Sequence, residues 1–218
     1  MTSFWLAIDH SDDAKFHTPD GTDIRSEILE LIAESPGWGI VVRPDHDRLR
    51  IPGDAVCVGL PDIHEVAELR PPDGGSGVVK VGFHHPEDGC SRAATAILGE
   101  LRHYDRVFLE PYCDSSDCLA QLAGTATSLG PQDVVLKVRV NEDGLDVVKR
   151  AEIGATAWVA RSDGMSWADY SARLPTARDL GAVGVMVGRA IWGDTVGLAA
   201  DARRGSILDR MEAITRTF

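Results

Sequence analysis

The chain has 218 residues, 44% of them hydrophobic and 26% charged, with a formal net charge of −12; a single domain of this size buries roughly 70% of the surface its unfolded chain exposes. So acidic a balance leaves no basic footprint for a nucleic-acid backbone or an anionic membrane. No apolar run approaches the ~20 residues of a membrane span and no basic-then-hydrophobic leader opens the chain, so a cytoplasmic protein with neither kind of partner is expected.

The predicted elements alternate along the chain. A strand over 4–9 leads to a helix over 22–34, whose Ile24, Ile28, Leu31 and Ile32 share one face and which stops at Ser35-Pro36-Gly37. A second strand covers 38–43, and the link to the third at 55–60 is too short and too rich in Pro, Asp and Arg for a full helix. A short helix over 61–69 precedes the strand at 78–83. Strands at 106–112, 133–140, 155–161 and 182–189 then alternate with helices over 91–104, 115–129, 144–153, 167–180 and 199–215. Eight β-branched, strand-length runs with helices between them predict a compact single-domain (β/α)8 barrel spanning residues 1–218. A doubly wound sheet fits less well, because no GxGxxG follows the first strand and no phosphate-binding GxxxxGK occurs.

Cys57, Cys90, Cys113 and Cys118 form no CxxC pair, which argues for reduced thiols and against a zinc site. The 22 basic residues are 18 arginines and only 4 lysines, Lys15, Lys80, Lys137 and Lys149. Where each lysine falls is therefore informative.

Barrel strands alternate interior and helix-facing side chains, and reactive groups project from the strands' carboxyl ends. In the sixth strand Val134, Leu136, Val138 and Val140 share the outer parity, so Lys137 and Arg139 point inward. Val79, Val81 and Phe83 make Lys80 interior in the fourth. Glu110 in the fifth and Asp9 in the first point inward near their strand ends. Charges buried without partners cost several kcal/mol. A salt-bridged core network would satisfy them, but it gives no reason to gather them at one mouth.

A lysine amine attacks a carbonyl carbon only as the free base, which desolvation and a neighbouring cation promote. Lys137 is placed for this, with Lys80 or Arg139 as that cation. Glu110 is the first choice for the proton transfers. Asp9 is a second acid/base or an acceptor for Lys80. The turns after the last two strands, Arg161-Ser162-Asp163-Gly164 and Val187-Gly188-Arg189-Ala190, sit where barrels often hold an anion. Ser162, Gly164, Gly188 and Arg189 are the candidate ligands there, Arg139 is a further candidate for binding the substrate, and His10 at the first strand's mouth is another substrate contact. This chemistry requires no metal and no cofactor. Adjacent His84 and His85 face opposite ways at a strand end, which suits loop contacts better than one metal ion.

Four segments resemble the class I aldolases that act on tagatose 1,6-bisphosphate and 6-deoxy-6-sulfofructose 1-phosphate. They are Lys80-Val-Gly-Phe83, Phe108-Leu-Glu110-Pro111, Asp133-Val-Val-Leu-Lys137-Val138 and Gly181 to Trp192, the last ending in Gly188-Arg-Ala-Ile-Trp192. The resemblance covers about residues 77 to 195. It implies that Lys137 forms the Schiff base, that Glu110 is the acid/base with Lys80 beside both, and that Ser162 and Arg189 hold a phosphate or sulfonate. The chain departs from that family in three ways. Asp9-His10-Ser11 replaces Asp-Gln-Arg, Ser162-Asp163-Gly164 replaces Ser-Ala-Gly, and the chain is shorter than typical members. These departures favour a monophosphate or another polyol over a bisphosphate. The expected partner is a small sugar phosphate or related carbonyl compound, with homo-oligomerisation open. The alternatives are a transaldolase, a Schiff-base dehydratase or isomerase, and a non-catalytic barrel serving as a binding subunit.

Overall fold

The computed structural model describes residues 3–9, 13–43, 56–60, 77–83, 90–112, 115–128, 133–151 and 156–218. Eight parallel strands close into a barrel in sequence order. They are β1 (Ser3–Ala7), β2 (Trp38–Val42), β3 (Val56–Leu60), β4 (Val78–Phe83), β5 (Arg106–Pro111), β6 (Asp133–Arg139), β7 (Trp158–Arg161) and β8 (Gly184–Val187). Closure sets β1 beside β8, with Phe4 opposite Val185 and Trp5 opposite Met186. Among the described residues the helices are α1 (Arg25–Ala33), α2 (Cys90–Glu100), α3 (Ser116–Ser128), α4 (Glu142–Ala151), α5 (Trp167–Asp179), α6 (Arg189–Trp192) and α7 (Ala200–Thr217). The helix expected over 61–69 and nearly all of the 43–55 link lie outside the described residues.

Each expected strand is present, and the differences lie at element ends. α4 starts at Glu142 rather than at Gly144, because the Asn141 side chain accepts a hydrogen bond from the Gly144 N–H at 2.8 Å and caps the first turn. β8 stops at Val187 instead of reaching residue 189. Gly188 is the N-cap of α6, so the chain leaves the strand there and Ala190, Ile191 and Trp192 are buried on a helical turn.

The side-chain alternation divides the apolar residues into two layers. Leu136, Val138, Val79 and Val81 face the helices, as expected. Trp5, Cys57, Phe108, Val135, Val159 and Met186 fill the interior. Trp5 dominates that floor: its ring meets Phe108 edge-on at 5.5 Å and lies over Gly39, where a Cβ would come within 2.5 Å of it. Ionisable groups seated directly on this apolar floor lose most of their hydration.

Cys57 is buried within the floor and is not part of a disulfide. Cys118 on α3 is disulfide-bonded, which corrects the expectation of reduced thiols for that residue: the absence of CxxC excludes one spacing only, and folding joins others. No helix among the described residues is long and apolar enough to cross a membrane.

Two glycines give opposite predictions. Gly39→Ala drives a methyl into the Trp5 ring and should destabilise the fold by ~1–3 kcal/mol. Gly205→Ala, inside α7 with nothing within 4 Å of the new Cβ, should stabilise it by ~0.5–1 kcal/mol. Urea denaturation of both variants reads the two signs, and a neutral Gly39→Ala would contradict the packing of the floor.

Candidate active site

The inward residues near the carboxyl ends of the strands meet above the floor in a cavity of about 320 Å³, at the small end of the ~300–1,000 Å³ usual for metabolite sites. Asp9, Lys80, Glu110 and Lys137 come to it from the barrel interior. Ser162, Gly164, Gly188 and Arg189 come from the turns after β7 and β8. Tyr112, Arg161 and Asp163 complete the polar wall, and the first two are not among the residues the sequence singles out. Both could have been found by carrying the parity further: Val159 and Arg161 alternate inward on β7, as Phe108, Glu110 and Tyr112 do on β5.

Glu110 joins three cations. Its Oε2 lies 3.0 Å from Lys80 Nζ and 3.1 Å from Lys137 Nζ, and its Oε1 accepts a hydrogen bond from Arg161 Nη1 at 2.7 Å. Lys80 Nζ is also 2.6 Å from Asp9 Oδ2. None of these five side chains is more than 8% exposed.

The two lysines therefore differ in proton affinity for a geometric reason. Burial lowers the proton affinity of both. For Lys80, Asp9 and Glu110 in direct contact outweigh burial and hold its pKa above the ordinary lysine value. Among the described residues Lys137 has one acid in contact, Glu110, and burial, with help from Lys80 and Arg161, leaves its pKa below that value. Burial alone would raise the Glu110 pKa, but Lys137, Lys80 and Arg161 pull it well below the usual carboxylate range. The result is an ionised carboxylate between a fixed ammonium and an amine that deprotonates more readily.

Arg139 is placed differently from the expectation. It does not line the cavity, and the cations acting on Lys137 are Lys80 and Arg161. Its Nε instead lies 3.3 Å from Asp163 Oδ2 at the rim, beside a smaller recess against α4. Asp163, whose φ of 49° is left-handed, also faces Arg161 Nη2 at 3.8 Å. The acid in the Ser-Asp-Gly turn is thus shared by two arginines rather than set unopposed beside the anion ligands. Tyr112 stacks against the Arg161 guanidinium at 5.4 Å, and burial raises its phenol pKa.

The Gly188-Arg-Ala-Ile-Trp192 segment has two separate jobs. Arg189 stands at the mouth of the cavity. Trp192 is buried, stacks on Phe16 at 4.6 Å, and donates its indole N–H to the Ala7 carbonyl at 3.2 Å. That bond pins β1 two residues before Asp9. His10, His84 and His85 lie outside the described residues; among those described, no group of three or more His, Cys, Asp or Glu could hold a metal ion.

No protein-family model and no curated protein matches the sequence, but solved structures do. A Corynebacterium glutamicum structural-genomics target matches with a TM-score of 0.62 at 16% identity, over 99% of this chain and 85% of that one. An archaeal fructose 1,6-bisphosphate aldolase matches with a TM-score of 0.62 at 18% identity, over 99% of this chain and 93% of the other. A further structure, of an archaeal fructose-1,6-bisphosphate aldolase whose catalytic Lys is bound to a carbinolamine intermediate, gives 0.60 at 18%, with coverage of 99% and 93%. What is shared at these identities is the fold, a closed eight-stranded α/β barrel. The likeness does not reach the tagatose and sulfofructose branch that the segments resemble.

Removing the central carboxylate should be costly. Glu110→Gln leaves Lys80 and Arg161 buried around a neutral amide, and should lose ~3–5 kcal/mol at pH 7. Because the folded pKa of Glu110 is depressed, its contribution is full above the unfolded carboxylate value near ~4.3 and fades as pH falls through the folded value. The variant should therefore show a shallower decline in stability on acidification than the parent. Denaturation midpoints measured from neutral to acid pH check both effects, and parallel curves would contradict the assignment.

Proposed function

We propose that the protein is a class I, Schiff-base-forming aldolase acting on a small carbonyl compound that carries an anionic group, such as a ketose phosphate. The observation that carries this reading is the pair of buried lysines on one carboxylate, one held as an ammonium by two acids and one biased toward the free amine. A network serving stability alone has no use for that asymmetry, and apolar residues of similar volume would serve it as well.

The roles follow from the contacts. The Lys137 lone pair attacks the carbonyl carbon, and the former carbonyl oxygen takes up a proton to give a carbinolamine. The Glu110 carboxylate, 3.1 Å from that nitrogen, manages the proton there. While Lys137 is uncharged, Glu110 has lost one of its three cations, so its proton affinity rises and it can protonate the departing hydroxyl. Loss of water leaves an iminium. Removing a proton from the hydroxyl β to it breaks the carbon–carbon bond, and the bonding electrons move into the iminium to form an enamine. Asp9, fixed by Lys80 at 2.6 Å, is placed at the same mouth to hold or deprotonate that hydroxyl. Ser162, the backbone at Gly164 and Gly188, and Arg189 receive the anionic end. Tyr112, whose phenol keeps its proton, can donate to a substrate oxygen.

Borohydride with dihydroxyacetone phosphate tests the reading. A reduced adduct should form on Lys137, be absent in Lys137→Ala, and form ~10²-fold more slowly in Glu110→Gln. No adduct on Lys137 across a panel of ketose phosphates would overturn it. Product analysis with and without an acceptor aldose separates an aldolase from a transaldolase. Lys80→Met should move the trapping profile toward higher pH, because Lys80 helps to lower the Lys137 pKa; an unchanged profile would confine Lys80 to substrate contact.

A further inference from the structure

We propose that Arg161 is a positioning residue: by occupying Oε1 of Glu110 it fixes the carboxylate so that Oε2 alone serves the Lys137 nitrogen. The inference rests on the Schiff-base reading of Lys137 and adds a part that neither the sequence motifs nor the fold assigns.

Three observations carry it. First, the two oxygens of Glu110 are divided, Oε1 to Arg161 at 2.7 Å and Oε2 to the lysines at 3.0 and 3.1 Å. A carboxylate held only through Oε2 could rotate and exchange its oxygens, whereas a guanidinium on the opposite side fixes the plane. Second, Arg161 is itself held, by the Tyr112 ring on one face and by Asp163 at 3.8 Å from Nη2. Asp163 in turn contacts Arg139. An alternating chain of charge thus runs from Arg139 through Asp163, Arg161 and Glu110 to Lys137, joining the turn that carries Ser162 and Gly164 to the reacting amine. Third, Arg161 is 5% exposed, yet among the described residues its Nε has no hydrogen-bond partner. A buried arginine with an unsatisfied N–H is a poor choice for stability alone. Its Nη1 is committed to Glu110 and its Nη2 turned toward Asp163, while its Nε is left unsaturated.

Arg161 also bears on proton affinity, since it is one of the cations acting on both Glu110 and Lys137. Among the described residues, the other ionisable groups facing this pair are Asp9 just past β1, Cys57 on β3, Lys80 on β4 and Tyr112 just past β5. A substitution at 161 leaves all of these in place. Losing the cation raises the pKa of Glu110 and of Lys137 together, so both limbs of a pH profile move in the same direction, upward.

The test uses the rate of borohydride trapping at Lys137 with dihydroxyacetone phosphate, followed against pH, in Arg161→Gln and Arg161→Lys. Arg161→Gln should trap ~10²-fold more slowly than the parent, with its profile displaced to higher pH. Arg161→Lys, which keeps the charge but not the fork, should hold the parent profile at a rate ~10-fold lower. The inference is overturned if Arg161→Gln matches the parent in rate and profile, or if it is slower on an unshifted profile, as a merely structural loss would be. Should Arg161→Gln fail to fold by near-ultraviolet circular dichroism, Arg161→Lys decides: trapping at the parent rate overturns the inference. A parent protein that forms no adduct overturns the Schiff-base reading and this inference with it. A trapping parent matched by its variants overturns the inference alone.

Discussion

The site depends on one buried carboxylate. Glu110 sits at the end of β5 above an apolar floor, where an isolated charge would cost several kcal/mol, and it stays ionised because Lys80, Lys137 and Arg161 reach it from three other strands. The barrel register makes that convergence possible. Glu110 is level with Gly82 rather than with Lys80, and Lys137 is level with Val159 rather than with Arg161. The stagger of a closed barrel brings residues from different heights along the strands to one point. Trp5 and its neighbours below keep that point dry.

Dryness gives the cluster its chemical character. In water two lysines near one carboxylate would differ little. Above the floor, one additional carboxylate in direct contact decides which lysine holds its proton more tightly, and Asp9 makes that contact with Lys80. The Trp192 indole sets this in place from outside the barrel by holding the Ala7 carbonyl two residues before Asp9. The most distinctive sequence segment thus contributes a cation at the mouth and, through its last residue, the placement of an acid on the opposite side of the β1–β8 seam.

Much of this was legible in the sequence because strand parity is a strict rule. Alternating valines on either side of Lys137 and Lys80 fixed which way those lysines point, and the same reading brought Asp9 and Glu110 to the mouth. Arg161 belongs in the sequence as much to the glycine-containing turn that follows it as to its strand, and Tyr112 is the last residue of the expected 106–112 strand, one past where β5 ends, so neither stands out by type or position. Arg139 has the inward parity, yet it lies one step nearer solvent than Lys137, where a partner distant in sequence, Asp163, could claim it. Parity reports the side of the sheet, not the partner. Partners across the barrel, the indole bond to β1 and the disulfide at Cys118 all depend on packing that no local pattern records.

The central claim is that Lys80 and Lys137, though buried on the same carboxylate, hold protons of very different affinity. With only four lysines in the chain, carbon-13 labelling at lysine Cε gives four resonances that single Lys80→Met and Lys137→Met variants assign. Titration followed by nuclear magnetic resonance should show the Lys137 signal moving below the ordinary lysine value of ~10.4, and the Lys80 signal still unmoved at that pH. Lys137 titrating together with Lys80, or above the ordinary value, would contradict the account.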